Sequence, residues 1–403
     1  MGDEGHHHHR DEGPGAVEVA PYGSWRSSIE IEDVAGSAIA LAEPWLDGDD
    51  VYWLESRSAE RGRRTLMRRT PDGATRELTP DPFRVGDRVH EYGGGSYIVD
   101  RGRIVASSSE DDRLWRIDPE GLAAPIALTP AGPARYADAR FDPAQDRLYA
   151  VRETHDAARP DDPLLVVNEL VSIALDGSDG YGRVLVSGPD FVAAPRPSPD
   201  GRRLAWLEWD LPDMPWDASR LRVADVAADG TLGEARTVAG GAGVSIVQPA
   251  WRSDGVLHFV SDESGWWNLF AFDGPDRLDG PARSLAPMEA ELGDPSWVFG
   301  RSSYVFEADG SILAVARADG SDRFVRIAAS GEVTRLDSPF SEVEGLQICH
   351  RSGALRTKGL VGICIADINN GKEYAGYIGT DEHGFGFGFV FKDDCPVDHV
   401  QCP

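Results

Sequence analysis

The feature that most restricts the fold of this chain is a short segment that recurs at intervals of about 50 residues. Each copy ends on Leu or Val and is followed by a small residue, proline or glycine. The copies end at Leu78, Leu128, Leu185, Val238, Leu285 and Leu336. Such regular recurrence is typical of a repeat architecture, in which each unit packs against its neighbours.

Each interval contains the same pattern of alternating runs. The clearest copy reads PRPSPDGRRLAWLEWD from Pro195 to Asp210, followed by RLRVADVAADG and GEARTVAG. Alternation of apolar and polar residues rich in Val, Ile and Trp predicts β-strands, and Asp-Gly between two runs predicts a hairpin. A lone four-stranded sheet cannot bury both faces, whereas sheets stacked around an axis can. The sequence therefore predicts an all-β β-propeller of four-stranded antiparallel blades.

We expect seven blades, with six as the alternative. Six units lie before Pro339, and the remaining segment also alternates and carries an Asn370-Gly371 hairpin signal that predicts a seventh. A β-sandwich followed by a second all-β domain is the competing interpretation, since alternation alone would permit it. The regular spacing of the units favours the propeller.

Composition divides the chain into three predicted parts. Residues 1–20 are expected to form a disordered leader or tag, residues 21–345 blades 1 to 6, and residues 346–403 a distinct tail that would supply the seventh blade. Before Gln347 every basic residue except histidine is Arg, whereas every Lys and every Cys follows it. A natural fusion, an engineered fusion or a chimeric gene would each explain this change in composition.

The charge of the chain excludes some partners. The formal net charge is -28, spread along the sequence, and such a field repels phosphate backbones and anionic lipid. We find no run of 18 apolar residues, and the N-terminus is acidic where a secretory signal would be basic and then apolar. We therefore expect a soluble, cytoplasmic protein that binds neither nucleic acid nor membrane.

Several long segments occur in an order that resembles a known family. They are APYGSWRSSI, VHEYGGGSY, APRPSPDGRRLAWLEWDLPDMPWD, SDESGWWNLF and PMEAELGDPSWVFG. Together they resemble the N-terminal propeller of prolyl-oligopeptidase-family (S9) serine peptidases, in particular the bacterial dipeptidyl and acylaminoacyl peptidase-like members. In that family the propeller caps an α/β-hydrolase domain that supplies a Ser-Asp-His triad. The resemblance implies a substrate-gating propeller whose partner is a peptide substrate or a protein ligand.

The catalytic elements of such a hydrolase domain are missing from this sequence. A nucleophile elbow requires Gly-x-Ser-x-Gly, and no serine here has glycine on both sides at that spacing. The nearest candidates, Ser96, Ser245 and Ser302, each have glycine on one side only. We therefore expect no catalytic residue and no cofactor in this chain.

The segment HEYGGG provides the substrate-facing candidates His90, Glu91 and Tyr92. A titratable pair and a tyrosine beside three glycines would suit the wall of a central cavity, and the resemblance implies that they look toward the side where substrate enters. The structural interpretation is that the glycines only form a bulge or a close crossing of two backbones. Both interpretations remain open from the sequence.

Other candidate sites are weaker. Most of seven tryptophans are expected to pack between blades, with a carbohydrate platform as the alternative: Trp206, Trp209, Trp216, Trp251, Trp266, Trp267 and Trp297. The pairs Glu208 with Asp210 and Asp213 with Asp217 would suit a propeller glycosidase. Cys395, His399 and Cys402 have partial zinc-ligand spacing, but no compact second pair precedes them, so we expect no metal. A stand-alone TolB-like propeller that binds a protein or peptide is the alternative function.

Overall fold

The computed structural model describes residues 39–160, 165–336, 343–349, 360–367, 372–381 and 384–390, together with residues 21, 23, 24 and 162. The predicted leader, 1–20, and the tail residues Cys395, His399 and Cys402 lie outside the described residues. Within the described ranges no helix is long and apolar enough to cross a membrane.

Six blades of four antiparallel strands follow one another in chain order. The strands of blades 1 to 3 are β1 (Ile39–Asp47), β2 (Asp50–Arg57), β3 (Arg63–Arg69), β4 (Thr75–Glu77), β5 (Tyr97–Asp100), β6 (Arg103–Ser107), β7 (Leu114–Ile117), β8 (Ile126–Ala127), β9 (Ala134–Phe141), β10 (Arg147–Thr154), β11 (Val167–Ala174) and β12 (Arg183–Val186). The strands of blades 4 to 6 are β13 (Phe191–Pro197), β14 (Arg203–Trp209), β15 (Ser219–Asp225), β16 (Arg236–Gly241), β17 (Ile246–Trp251), β18 (Leu257–Ser261), β19 (Asn268–Ala271), β20 (Arg283–Ser284), β21 (Tyr304–Phe306), β22 (Ile312–Ala318), β23 (Ser321–Ile327) and β24 (Val333–Leu336). The first strands contact one another in four successive pairs of blades, β1 with β5, β5 with β9, β9 with β13 and β13 with β17, so the first strand of each blade is the innermost.

Blade 4 shows how the repeated sequence produces a blade. The Ser-Pro-Asp-Gly segment forms the turn from β13 into β14, in which the Gly201 amide donates to the Ser198 carbonyl and Gly201 has a φ of 69°. A left-handed φ is accessible to glycine at little cost, which explains its place in this turn. Every residue of β14 after Arg203 is buried, because neighbouring blades cover both faces of the sheet.

Each junction between successive blades in this part of the chain has its own apolar core. Trp206 packs with Tyr149 between blades 3 and 4, whereas Trp209, on the other face of β14, packs in the core that contains Phe259 between blades 4 and 5. Comparable cores join blades 1 and 2, blades 2 and 3, and blades 5 and 6. The prediction that Trp206 and Trp209 are packing residues is confirmed.

Bulges in the innermost strands add polar links between blades around the centre. Glu43, Asp138 and Gln248 each occupy a bulge with φ of 47° to 49°. Their side chains accept hydrogen bonds from backbone amides of the next blade: Glu43 from Ser96 at 2.8 Å, Asp138 from Ala194 at 3.0 Å and Gln248 from Ser303 at 2.6 Å. A bulge re-aims its side chain, and here it directs an acceptor toward the neighbouring blade.

The number of blades is corrected from the predicted seven to six. The six sheets between Ile39 and Leu336 have described side chains that pack into cores on neighbouring blades. Four further strands, β25 (Glu344–Cys349), β26 (Leu360–Asp367), β27 (Lys372–Asp381) and β28 (Gly384–Val390), pair antiparallel through their backbones, and β25 lies beside β1 and β21. The alternation after Gln347 therefore predicted paired strands correctly, whereas the predicted count of seven blades is wrong.

Candidate functional site

A cavity of about 710 Å³ opens on one face of the propeller. Its walls come from the connections between blades 1 and 2, 3 and 4, and 5 and 6, and from the β10–β11 and β14–β15 connections. In antiparallel four-stranded blades, the connections between blades and those between second and third strands lie on the same face. We call the face that carries these connections the loop face. Because all of these connections lie on it, segments that are distant in sequence meet there.

The structure places His90, Glu91 and Tyr92 together in the wall of this cavity. His90 is half-buried, and its backbone amide donates to the Glu153 carboxylate at 2.8 Å. Glu91 and Tyr92 are exposed, and Tyr92 has 60% of its surface accessible. Their predicted substrate-facing role remains a prediction, now with a defined cavity to which it applies.

The glycines that follow form a close crossing of two backbones. Gly94 pairs with Phe299 of the connection between blades 5 and 6, and the Phe299 amide donates to the Gly93 carbonyl at 3.0 Å. A Cβ atom on Gly94 would lie 2.3 Å from Val298 Cγ1 and 2.6 Å from the Phe299 carbonyl oxygen. The structural interpretation of the glycine run as a close crossing is therefore confirmed, and it coexists with the neighbouring cavity residues.

An aromatic box surrounds the His90 imidazole. The ring centroids of Phe191, Trp209 and Phe299 lie 5.0, 5.7 and 4.9 Å from that of His90. Burial lowers the pKa of His90 to about 4, so the imidazole is neutral near pH 7. Its Nε2 atom is buried and has no hydrogen-bond partner among the described residues. The box is therefore an uncharged, largely apolar part of the cavity.

Three more aromatic side chains line the mouth of the cavity, and we call them the aromatic rim: Tyr92, Trp216 and Trp297. The Trp297 ring lies 4.3 Å from that of Trp216 and 5.2 Å from that of Tyr92, measured between centroids. Trp297 is 45% exposed and Trp266 is 39% exposed, so these two are not among the tryptophans that pack between blades. Both lie in connections between strands, and the sequence already places them outside the alternating runs.

Charged groups of the cavity form local pairs. The buried Glu153 carboxylate accepts from Arg135 at 3.2 Å and lies 2.7 Å from His155 Nε2. Deeper, Asp138 lies 3.2 Å from both Arg140 and Arg196. Burial, with a smaller contribution from Arg196, lowers the pKa of Arg140 to about 10. Each of these carboxylates is therefore paired with neighbouring basic groups, and the contacts hold the inner strands in place.

Two carboxyl groups, those of Glu43 and Asp87, lie close together near the crossing of Gly94 and Phe299. The Ser96 hydroxyl is 3.1 Å from both Glu43 and Asp87. Burial, reinforced by the nearby Glu43 charge, raises the pKa of Asp87 to about 8, so Asp87 is mostly protonated near pH 7. Two carboxyl groups that share one serine cannot both ionise at low cost. The Ser96 hydroxyl is thus engaged with carboxyl groups rather than with a histidine base.

The other chemical candidates have structural partners. Ser245 donates to the Pro215 carbonyl and Ser302 to the Tyr304 carbonyl. Glu208 and Asp210, the pair considered for a glycosidase, both bind Arg220, at 3.2 and 2.6 Å. Within the described part of the chain, no group of three or more His, Cys, Asp or Glu residues is arranged to hold a metal ion.

The chain is similar to several solved structures. No protein-family model and no curated protein sequence matches the chain. A puromycin hydrolase structure is 30% identical with a TM-score of 0.76, over 90% of this chain and 62% of that one. A puromycin-hydrolyzing peptidase from Mycobacterium tuberculosis is 31% identical with a TM-score of 0.73, over 92% and 61% of the two chains.

A more distant structure shares the fold. Prolyl oligopeptidase B from Galerina marginata is 11% identical with a TM-score of 0.62, over 88% of this chain and 51% of that one. The present chain spans less than two thirds of the length of each of these three structures.

Proposed function

Since this chain corresponds to the propeller domain of a prolyl-oligopeptidase-family (S9) serine peptidase, we propose that it gates peptide substrates for such a peptidase and has no catalytic triad of its own. The observation that carries this proposal is the cavity on the loop face, which combines aromatic walls with a few polar groups. Pockets of this size and lining are typical of small-ligand sites.

The shape of the site supports selection by size. The crossing of Gly94 and Phe299 joins the connection between blades 1 and 2 to the connection between blades 5 and 6. This contact holds two separate loops together beside the cavity and restricts how far they can part. A short, extended peptide reaches such a cavity, whereas the surface of a folded protein does not.

The absence of a triad rests on sequence and on the partners of the serines. No serine has the flanking glycines of a nucleophile elbow, and the hydroxyls of Ser96, Ser245 and Ser302 are engaged by carboxyl or carbonyl groups. A nucleophilic serine would need a base within hydrogen-bond reach.

A binding experiment tests the gating role. Fluorescein-labelled peptides of increasing length, from a dipeptide upward, are titrated with the purified chain and followed by fluorescence anisotropy. We expect saturable binding of short peptides, weaker binding as length increases, and no binding of a folded protein of similar charge. Tight binding of a folded protein without peptide binding would favour the TolB-like alternative and overturn the gating role.

A labelling experiment tests the missing triad. The chain is incubated with a serine-directed fluorophosphonate and separately with dipeptidyl and aminoacyl chromogenic substrates. We expect neither labelling nor release of chromophore. Stoichiometric labelling together with turnover would show a catalytic serine and contradict this part of the proposal.

A further inference from the structure

We propose that the aromatic rim, with the His90 box behind it, forms a subsite for one large apolar or aromatic side chain of the peptide. The chain would then select substrates by side-chain identity as well as by length. This inference rests on the proposed peptide-binding role of the same cavity and goes beyond it by naming the side chain that the cavity selects.

Two side chains of the aromatic rim are unusually exposed. Tyr92 and Trp297 are 60% and 45% exposed, although most large aromatic side chains in the described blades are buried. Exposed aromatic side chains that line a cavity supply large contact areas at low entropic cost, because few of their torsions must be fixed on binding. Their position at the mouth suits stacking against a ligand ring.

Contacts within the protein hold the rim together. Tyr92 belongs to the connection between blades 1 and 2, Trp216 to the β14–β15 connection, and Trp297 to the connection between blades 5 and 6. Ring contacts hold these three loops together. A preorganised aromatic surface loses little freedom when it binds, so more of the contact energy remains as affinity.

Apolar side chains line the cavity behind the rim. Phe191 stacks on Trp209 with centroids 5.3 Å apart and planes inclined by 10°. Leu207 and Val247 line the same cavity. Because His90 between these rings is uncharged near pH 7, an apolar side chain would leave water without having to displace a charge.

The ion pairs around the cavity also favour a neutral ligand side chain. Charged side chains around the cavity are engaged with protein partners: Glu91 with Arg88 at 2.6 Å, Glu153 with Arg135 at 3.2 Å, and Asp294 with Arg317 at 2.7 Å. Glu153, with 4% of its side chain exposed, is a buried carboxylate that a charged ligand side chain would have to draw away from Arg135, whereas a neutral side chain would leave this pair intact. The geometry thus favours Phe, Tyr, Trp or Leu over Lys or Glu at the selected position.

The test uses a matched set of short peptide amides that differ at one position, with Phe, Leu, Ala, Lys or Glu. Affinities are measured by isothermal titration calorimetry on the intact chain. We expect the Phe peptide to bind at least tenfold more tightly than the Ala peptide, and the Lys and Glu peptides to bind no better than Ala. Equal affinities across the set would overturn the subsite but leave the peptide-binding role standing, whereas no binding of any peptide would overturn both.

Two variants locate the selectivity. Trp297→Ala should bring the Phe-to-Ala affinity ratio close to one. Trp266→Ala is the matched control, because Trp266 is 39% exposed but does not line the cavity, and it should keep the wild-type ratio. Tyr92→Ala should lower the ratio partially. Thermal melting confirms that each variant is folded, and retention of the full ratio by folded Trp297→Ala would refute the assignment.

Discussion

Replacing Gly94 by alanine tests whether the crossing of the two loops is as tight as the structure indicates. Gly94 has a φ of 100°, and an added Cβ would meet the Phe299 carbonyl oxygen at 2.6 Å and its amide nitrogen at 2.9 Å. Both contacts are with backbone, so a side-chain rotation cannot relieve them. The substitution therefore combines an unfavourable φ with overpacking.

The magnitude follows from these two contributions. A non-glycine residue at a left-handed φ costs about 1 to 2 kcal/mol, and forcing extra atoms into a packed site costs about 1 to 3 kcal/mol. We expect Gly94→Ala to lower the free energy of unfolding by about 2 to 5 kcal/mol. Gly102→Ala is the control, because Gly102 has a φ of 72° but no atom within 4 Å of its added Cβ. It should show only the backbone contribution.

Urea denaturation followed by tryptophan fluorescence compares the two variants with the wild type, and a common slope shows that the unfolding transitions are comparable. Hydrogen exchange supplies a local measurement. In Gly94→Ala the amide of Phe299, which donates to Gly93, should exchange faster, while amides in the blade 4 core remain protected. Equal destabilisation by Gly94→Ala and Gly102→Ala, with an unchanged Phe299 amide, would refute the close crossing.

Three further predictions concern buried ionisable side chains. Asp138→Ala leaves Arg140 and Arg196 without their shared carboxylate, so it should destabilise the chain by about 3 to 5 kcal/mol in thermal or urea unfolding, unlike Asp254→Ala at an exposed pair with Arg252. Asp87→Asn should stabilise the chain by up to about 5 kcal/mol at pH 8 and by little near pH 4, because the raised pKa of Asp87 keeps it protonated in the folded protein and that contribution to stability is lost as pH rises. Burial lowers the pKa of His258 to about 4, so the unfolded chain takes up a proton more readily and stability should fall as pH drops from about 6.5 toward 4. His258→Phe should flatten that pH dependence, and an unchanged pH profile in either variant would contradict the assigned protonation state.

The blades were predictable from the sequence because their cause is local. Alternation and Asp-Gly turns specify strands and hairpins within a few residues, as the Ser198–Gly201 turn before β14 illustrates. The number of blades was not predictable in the same way. Alternation in the segment after Gln347 correctly indicated paired strands, but alternation specifies the pairing within a sheet and not how many sheets form the ring.

The site was predictable only in part. The run HEYGGG indicated a close approach and placed His90, Glu91 and Tyr92 near a cavity. Its partner, Phe299, is far away in the sequence, and only the arrangement of the blades brings the two connections together. Tryptophan usually packs between blades, but Trp216 and Trp297 lie in connections outside the alternating runs and line the cavity instead.

Strands and connections therefore have separate roles in this repeat, and residue type alone does not distinguish them. Trp206 and Trp297 illustrate the difference. Trp206 lies in the middle of β14, is buried, and fills the junction of blades 3 and 4, so its loss should unfold the chain before it alters binding. Trp297 lies in a connection on the loop face, contacts other loops, and remains accessible, so its loss should alter peptide selection before it alters stability. If peptide selection resides in the loop face, substitutions in the connections between blades should change specificity while the strands stay the same.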